Sequence, residues 1–268
     1  MSIVRYLLTG VVFFFFVGCS VFDYHPYDGD INGEVGINAK NIARIEQACA
    51  GKDTVRFVWM GDTQGMYNAT EKFVASVNSL GTVNFVMHGG DISDYGVTQE
   101  FEWMRDILSR LTVPYVVLIG NHDGLGSGRD VFIEMFGQPN FSFLAGKVKF
   151  VCLETNTIGV YYSIPIPDFT FLKEQLKEQR DGHEATIVAM HSPPFNDEFN
   201  NNVAHVFQRF ITEFPQLQFC LYAHLHRFLE VDLFDDGVIY YGCDSVDQYR
   251  YLVFTVTKNS YSYEMVTF

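Results

Sequence analysis

The chain has 268 residues, 48% of them apolar, and a formal net charge of −14 from 32 acidic and 18 basic side chains. That apolar content is enough to build a substantial core, compatible with one large α/β domain. So acidic a surface repels nucleic-acid backbones, which excludes non-specific DNA or RNA binding as its business.

The first eighteen residues read as lying outside the fold. Arg5 makes a positive start, and Tyr6 to Val17 form an almost wholly apolar run with four consecutive Phe. A membrane-spanning helix needs about 20 apolar residues, and this run is nearer ~12, so it reads as a signal sequence. Its end, Phe16-Val17-Gly18-Cys19, resembles the lipobox of bacterial lipoproteins. The resemblance implies cleavage before Cys19 and acylation of that residue. The domain then hangs by lipid from a membrane of the bacterial cell envelope, periplasmic or on the outer surface. An ordinary secretory signal with a coincidental Cys is the alternative. Residues 19–53 are expected to form the tether and a first helix, with residues 20–37 packing partly through Phe22, Tyr24 and Tyr27, and residues 54–268 to form the domain. Of the remaining cysteines, Cys152, Cys220 and Cys243 sit in apolar, strand-like stretches, where free Cys acts as a small hydrophobe. No disulfide is expected among these and Cys49.

Asn38 is placed to cap a helix running to about Ala50, with Ile42, Ile45 and Cys49 on one face and Gly51 as the stop. Strand-like runs follow at Val55–Met60, Val83–Met87, Tyr115–Ile119, Lys147–Leu153, Thr186–Met190 and Leu217–Tyr222. Helical patterns lie between them, near residues 69–80, 98–110, 129–136, 168–180 and 202–213; in the first, Asn68 and Glu71 are spaced as a capping box. The last third changes character. Phe228–Phe234, an Asp235-Asp236-Gly237 turn and Val238–Tyr241 read as a hairpin, and strands follow near 250–256 and 260–266. Strand–helix alternation ending in antiparallel strands predicts an α/β fold of two sheets with helices outside.

Five short motifs carry the chemistry: Gly61-Asp62-Thr63-Gln64, Gly90-Asp91-Ile92-Ser93-Asp94, Gly120-Asn121-His122-Asp123, Met190-His191 and His224-Leu225-His226. They supply oxygen and imidazole donors and no thiolate, a set suited to two hard or borderline divalent cations sharing a carboxylate. The first three motifs each follow a predicted strand at roughly 30-residue spacing, one strand–helix–strand unit each, so their loops fall on one edge of a sheet. His191 and His224 also follow predicted strands.

In order and content these motifs resemble the calcineurin-like metallophosphoesterase family. The resemblance covers roughly residues 54–266 and implies a four-layer α/β/β/α sandwich with two mixed sheets and metals at the strand ends. It implies that Asp62, Gln64, Asp91 and His226 hold one metal, and that Asp91 bridges to a second held by Asn121, His191 and His224. It implies hydrolysis of a phosphate ester, mono- or diester, by a bridging hydroxide, with His122 as general acid oriented by Asp94 or Asp123. The substrate class is a small-molecule, lipid or sugar phosphate. A catalytically silent surface lipoprotein that binds a glycan or protein is the alternative reading.

Two positions depart from the family pattern. Gln64 stands where many members have His; its neutral carbonyl oxygen favours Mn²⁺, Mg²⁺ or Fe over Zn²⁺, with Mn²⁺ the first expectation. Asp94 stands where purple acid phosphatases carry a Tyr ligand, so a purple iron centre is not expected. Ala223, where Gly is usual before the His pair, is a minor change. His25, His88, His183 and His205 read as ordinary histidines. Arg129, Tyr161, Tyr162, Phe195, Asn196 and Arg227 lie in or beside the motif loops, within reach of a substrate.

Overall fold

The computed structural model describes residues 28–157, 165–178 and 183–268. The expected signal segment, Cys19, the residues Phe22, Tyr24, His25 and Tyr27 of the expected tether, and Tyr161 and Tyr162 lie outside the described residues.

A first helix, α1 (Ile37–Cys49), leads into strand β1 (Thr54–Met60), and two strand–helix units follow: α2 (Tyr67–Leu80), β2 (Phe85–His88), α3 (Thr98–Leu108) and β3 (Tyr115–Val117). β1, β2 and β3 pair in parallel, with Met60 opposite His88 and His88 opposite Val117, so their carboxyl ends share one rim. After α4 (Gly128–Met135) the chain builds a second sheet from β4 (Phe141–Ala145) and β5 (Val148–Leu153). It continues through α5 (Phe169–Lys177), β6 (Ala185–Met190), α6 (Ala204–Ile211), β7 (Leu217–Tyr222), β8 (Leu229–Asp232) and β9 (Ile239–Gly242). It then returns to the first sheet with β10 (Arg250–Thr257) and β11 (Tyr261–Thr267).

The sheet orders are β11-β10-β1-β2-β3 and β4-β5-β6-β7-β9-β8. The first joins parallel β1, β2 and β3 to antiparallel β10 and β11 at one edge; the second has a parallel centre with β4 and β8 antiparallel at its two edges. Their facing sides bury Phe57, Trp59, Phe85, Phe143, Phe150 and Phe219 in one shared core. Aromatic rings stack within it, Phe57 on Phe85 at 5.3 Å and Phe143 on Phe150 at 4.9 Å. The outer side of the first sheet is covered by α2, α3 and α4 through Phe73, Val77, Phe101, Met104 and Phe132. The outer side of the second is covered by α5 and α6 through Leu172, Phe207 and Ile211. This is the predicted four-layer α/β/β/α sandwich. Cys49, Cys152, Cys220 and Cys243 are all buried and free.

Two predicted caps are not used. Asn38 lies inside α1, buried, and its amide docks on the edge of β3: Nδ2 donates to Val117 O (2.8 Å) and Oδ1 accepts from Val117 N (2.9 Å). One turn on, Asn41 Nδ2 donates to Tyr115 O at 2.8 Å. These amides satisfy a strand edge that would otherwise bury unpaired backbone, and that tertiary demand outranks local capping. Asn68 is already helical in α2, which begins at Tyr67 without a side-chain cap. Strand β4 was not anticipated; its signal is the short Phe141-x-Phe143-x-Ala145 alternation, of which Phe143 and Ala145 are buried.

Asn38→Ala leaves Val117's buried N–H and C=O without partners. The expected cost is about 1–3 kcal/mol of stability, read as a lower urea midpoint with an unchanged slope.

Candidate metal centre

All five motif loops emerge at one rim: those of Asp62, Asp91 and Asn121 after β1, β2 and β3, and those of His191 and His224 after β6 and β7. The two sheets meet there, because the His224 N–H donates to the Asp62 carboxylate at 3.1 and 3.2 Å. The ligand atoms of Asp91, His191 and His224 lie within 4.8 Å of one another, and so do those of Asp62, Asp91 and His226. Asp91 is common to both groups. Asn121 joins the first, its Oδ1 2.9 Å from His191 Nε2 and 3.0 Å from His224 Nδ1. Gln64 joins the second, its amide nitrogen 3.4 Å from both Asp91 Oδ2 and His226 Nε2. The structure thus gathers all seven predicted ligands into two groups with one shared carboxylate.

Four of the seven hold their backbones in the left-handed region: Asp62 (φ 55°), Asp91 (58°), His224 (68°) and His226 (53°). Such conformations cost non-glycine residues about 1–3 kcal/mol each, and the surroundings must enforce them. Asp123 is the chief enforcer. Its buried carboxylate accepts from the N–H groups of Asp91 (3.0 Å), Ile92 (2.9 Å), Ser93 (2.8 Å) and Gly120 (2.9 Å), and from Ser93 Oγ (3.0 Å). It therefore clamps the β2 loop to the β3 loop and does not orient His122. His88 works from behind: its Nδ1 accepts from Gly90 N (3.2 Å), which leaves Nε2–H to donate to Thr63 Oγ1 (2.9 Å). Burial pulls its imidazole down to about 3, so it is neutral. Two glycines are required by close approach. A Cβ at Gly90, whose φ is 103°, would meet His191 Nδ1 at 2.7 Å, and one at Gly120 would meet Asp91 Oδ1 at 2.1 Å. Ala223 fits because Gly61 and Gly89, whose Cβ atoms would lie 2.9 and 2.8 Å from its methyl, have none.

His122 stands at the edge. Its Nδ1–H donates to the Asp94 carbonyl at 2.8 Å, with the Asp94 carboxylate at 3.7 Å, and its backbone N–H donates to Asp91 Oδ1 at 3.0 Å. Among the loop residues read as substrate contacts, Arg129 pairs with the buried Glu154. Phe195 is half exposed, packed on Phe234 at 4.9 Å and on His205 at 5.9 Å. His183 bonds Thr186 Oγ1 at 2.9 Å, away from the motifs. Sequence reasoning missed the clamp of Asp123 and the support of His88; their adjacency to ligand motifs was the available signal.

The sequence profile of the calcineurin-like phosphoesterase family matches residues 55–228. The chain belongs to the calcineurin-like phosphoesterase family. A 3′,5′-cyclic-nucleotide phosphodiesterase of Nostoc sp. is 24% identical over 172 residues, 60% of this chain and 64% of that protein. The chain therefore spans less than two thirds of that relative. Among solved folds, a purple acid phosphatase from yellow lupin superposes with a TM-score of 0.62 at 13% identity, covering 81% of this chain and 52% of that one. A dimetal phosphatase from Danio rerio gives 0.59 at 11% identity, covering 80% and 98%. These likenesses show the calcineurin-like phosphoesterase fold.

Members of this family generally bind divalent metals, and Gln64 shows that the residues here fit them. Gln64 Oε1 is buried with no hydrogen-bond partner, an expensive state for an amide oxygen unless a cation uses that side chain. Electrostatics agree. Burial pushes the Asp62 carboxyl up to about 8, against His191 and with Asp91 adding repulsion. Burial alone would raise Asp91 too, but the neighbouring His191 charge and its hydrogen bond hold it below the usual range. Burial pulls His191 down, yet Asp91 at 3.3 Å and Asp62 outweigh that and push it up to about 9. Burial and the His191 charge pull His224 down to about 4. Without a cation, protons do part of the neutralising.

At pH 7, Asp62 and His191 thus carry protons that a cation must displace. Affinity for Mn²⁺ is expected to rise about tenfold per pH unit for each proton lost, from pH 6 towards 9, and to flatten above. Titration calorimetry in buffers of different ionisation enthalpy reads the proton release directly; uptake of protons or a flat profile would contradict this electrostatic balance.

Proposed function

We propose that this protein is a metal-dependent phosphoesterase with a dinuclear centre, working outside the cytoplasm and held to the cell envelope by acylated Cys19. The observation that supports it most is the pair of ligand groups sharing Asp91, with the unpartnered Gln64 oxygen beside them. Asp62, Gln64, Asp91 and His226 would hold one cation; Asn121, His191 and His224, with Asp91 again, would hold the other. Divalent cations there would supply Lewis acidity, activating water as the nucleophile and neutralising charge that builds on phosphoryl oxygens. In the first of these sites the neutral carbonyl oxygen of Gln64 favours Mn²⁺, Fe or Mg²⁺ over Zn²⁺, Mn²⁺ first.

The chain's own residues do the positioning and the proton transfer. His191 donates Nδ1–H to Gly89 O at 2.8 Å, which fixes its tautomer and turns Nε2 towards Asp91 and Asn121. His122 has Nδ1–H occupied by the Asp94 carbonyl, so its Nε2–H is the proton that passes to the leaving oxygen of the ester. Its side chain is 37% exposed, which lets the ring recover a proton from solvent. Asp94 is a positioning residue for that ring. The substrate is a phosphate ester, a small molecule or a lipid or sugar phosphate; the name of the Nostoc relative supports including diesters.

After incubation with Mn²⁺, elemental analysis is expected to find two ions per chain, and none in Asp91→Ala; a metal-free wild type overturns the reading. His122→Ala should keep both ions while turnover of an alkyl phosphate falls about 10²–10⁴-fold, with a far smaller loss on a p-nitrophenyl ester, whose leaving group needs no proton. Equal losses on both substrates would remove His122 from the acid role.

A further inference from the structure

The chain enters the described fold at the rim of the metal centre. Gly33 passes so close to the Arg105 guanidinium that a Cβ there would meet it at 3.0 Å. One step back, Asn32 N–H donates to Glu102 Oε1 at 2.5 Å, and Thr98 Oγ1 donates to the carbonyl of Asp28. Traced backwards, residues 33 to 28 therefore climb α3 from Arg105 to its first residue, Thr98. The loop before Thr98 is Asp94–Val97, and the Asp94 carbonyl is what holds His122.

Two exposed aromatics lie close by, Tyr95 in the loop before α3 and Trp103 midway along it. Tyr95 is 60% exposed and Trp103 51%. Their supports are rigid: Glu100 accepts from the Asp94 and Tyr95 N–H groups at 3.1 and 2.9 Å, and Trp103 sits edge-on against Tyr67 at 5.6 Å. Amphipathic aromatic rings of this kind favour the water–lipid boundary. Eight residues, 20–27, lie between Cys19 and Asp28, so nine Cα–Cα steps join them. Even fully extended, at ~3.3–3.6 Å per residue, that tether reaches only about 30 Å.

We propose that the active-site rim docks on the lipid surface, with Tyr95 and Trp103 in the headgroup layer beside the point where the acylated tether leaves the fold. This rests on the lipid-anchor reading above. A net charge of −14 gives no attraction to anionic lipid, so the contact is aromatic and acyl, not electrostatic. Phosphate esters presented at that surface then lie next to the metal centre, and the anchor sets orientation as well as location.

The test uses the full acylated protein on phosphatidylcholine vesicles containing lipid brominated near the headgroup. The chain has two Trp; Trp59 is fully buried, so Trp103 reports on the surface. The expected result is flotation with the vesicles, quenching of roughly half the tryptophan emission, and loss of that quenching in Trp103→Phe. Flotation with Trp103 unquenched by lipid and still open to acrylamide overturns the docking and leaves the anchor standing. Failure to float overturns the anchor, and the docking with it.

Discussion

The site depends on one arrangement: two carboxylates, Asp62 and Asp91, buried beside the imidazole of His191 where two sheets meet. Buried negative charges close together are unstable unless protons or cations neutralise them. In the protein alone, His191 and a proton on Asp62 do part of that work. The donor set around them, with oxygen from Gln64 and Asn121 and nitrogen from His224 and His226, turns the same electrostatic deficit into affinity for divalent cations.

The fold makes this arrangement by bringing strand ends together. Parallel β1, β2 and β3 put three loops on one rim, and β6 and β7 bring two more from the facing sheet. The aromatic core between the sheets sets their separation, so that a backbone N–H at His224 reaches the Asp62 carboxylate. Strain in the left-handed ligand residues is borne by a buried clamp, the Asp123 carboxylate, which ties two loops through five hydrogen bonds. Loss of that clamp would be felt at Asp91 first, since this carboxylate, common to both donor groups, hangs from the loop it holds.

Specific residues show how far reading along the chain reaches. The five motifs, their strands and the pairing of sheets were legible because each depends on local periodicity or on a short run of chemically distinctive residues. Asn38 misled: a cap-forming residue before a helical pattern looks the same whether it caps the helix or docks on a distant strand edge. Asp123 misled similarly, since proximity to His122 in sequence suggested a partnership that its five backbone and hydroxyl bonds preclude. Strand β4 went unread because three alternating apolar residues are too weak a signal without the neighbour, β5, that pairs with them.

What the sequence by itself determined is the set of candidate donors, the order of the elements apart from β4, and the class of chemistry, because donor type and spacing are properties of the chain. Only the tertiary structure decided which Asp supports the loops rather than the imidazole, and where residues 28–33 run against α3. Those depend on contacts between residues 30 to 160 positions apart, formed when packing of the two sheets closes distances that no local pattern encodes.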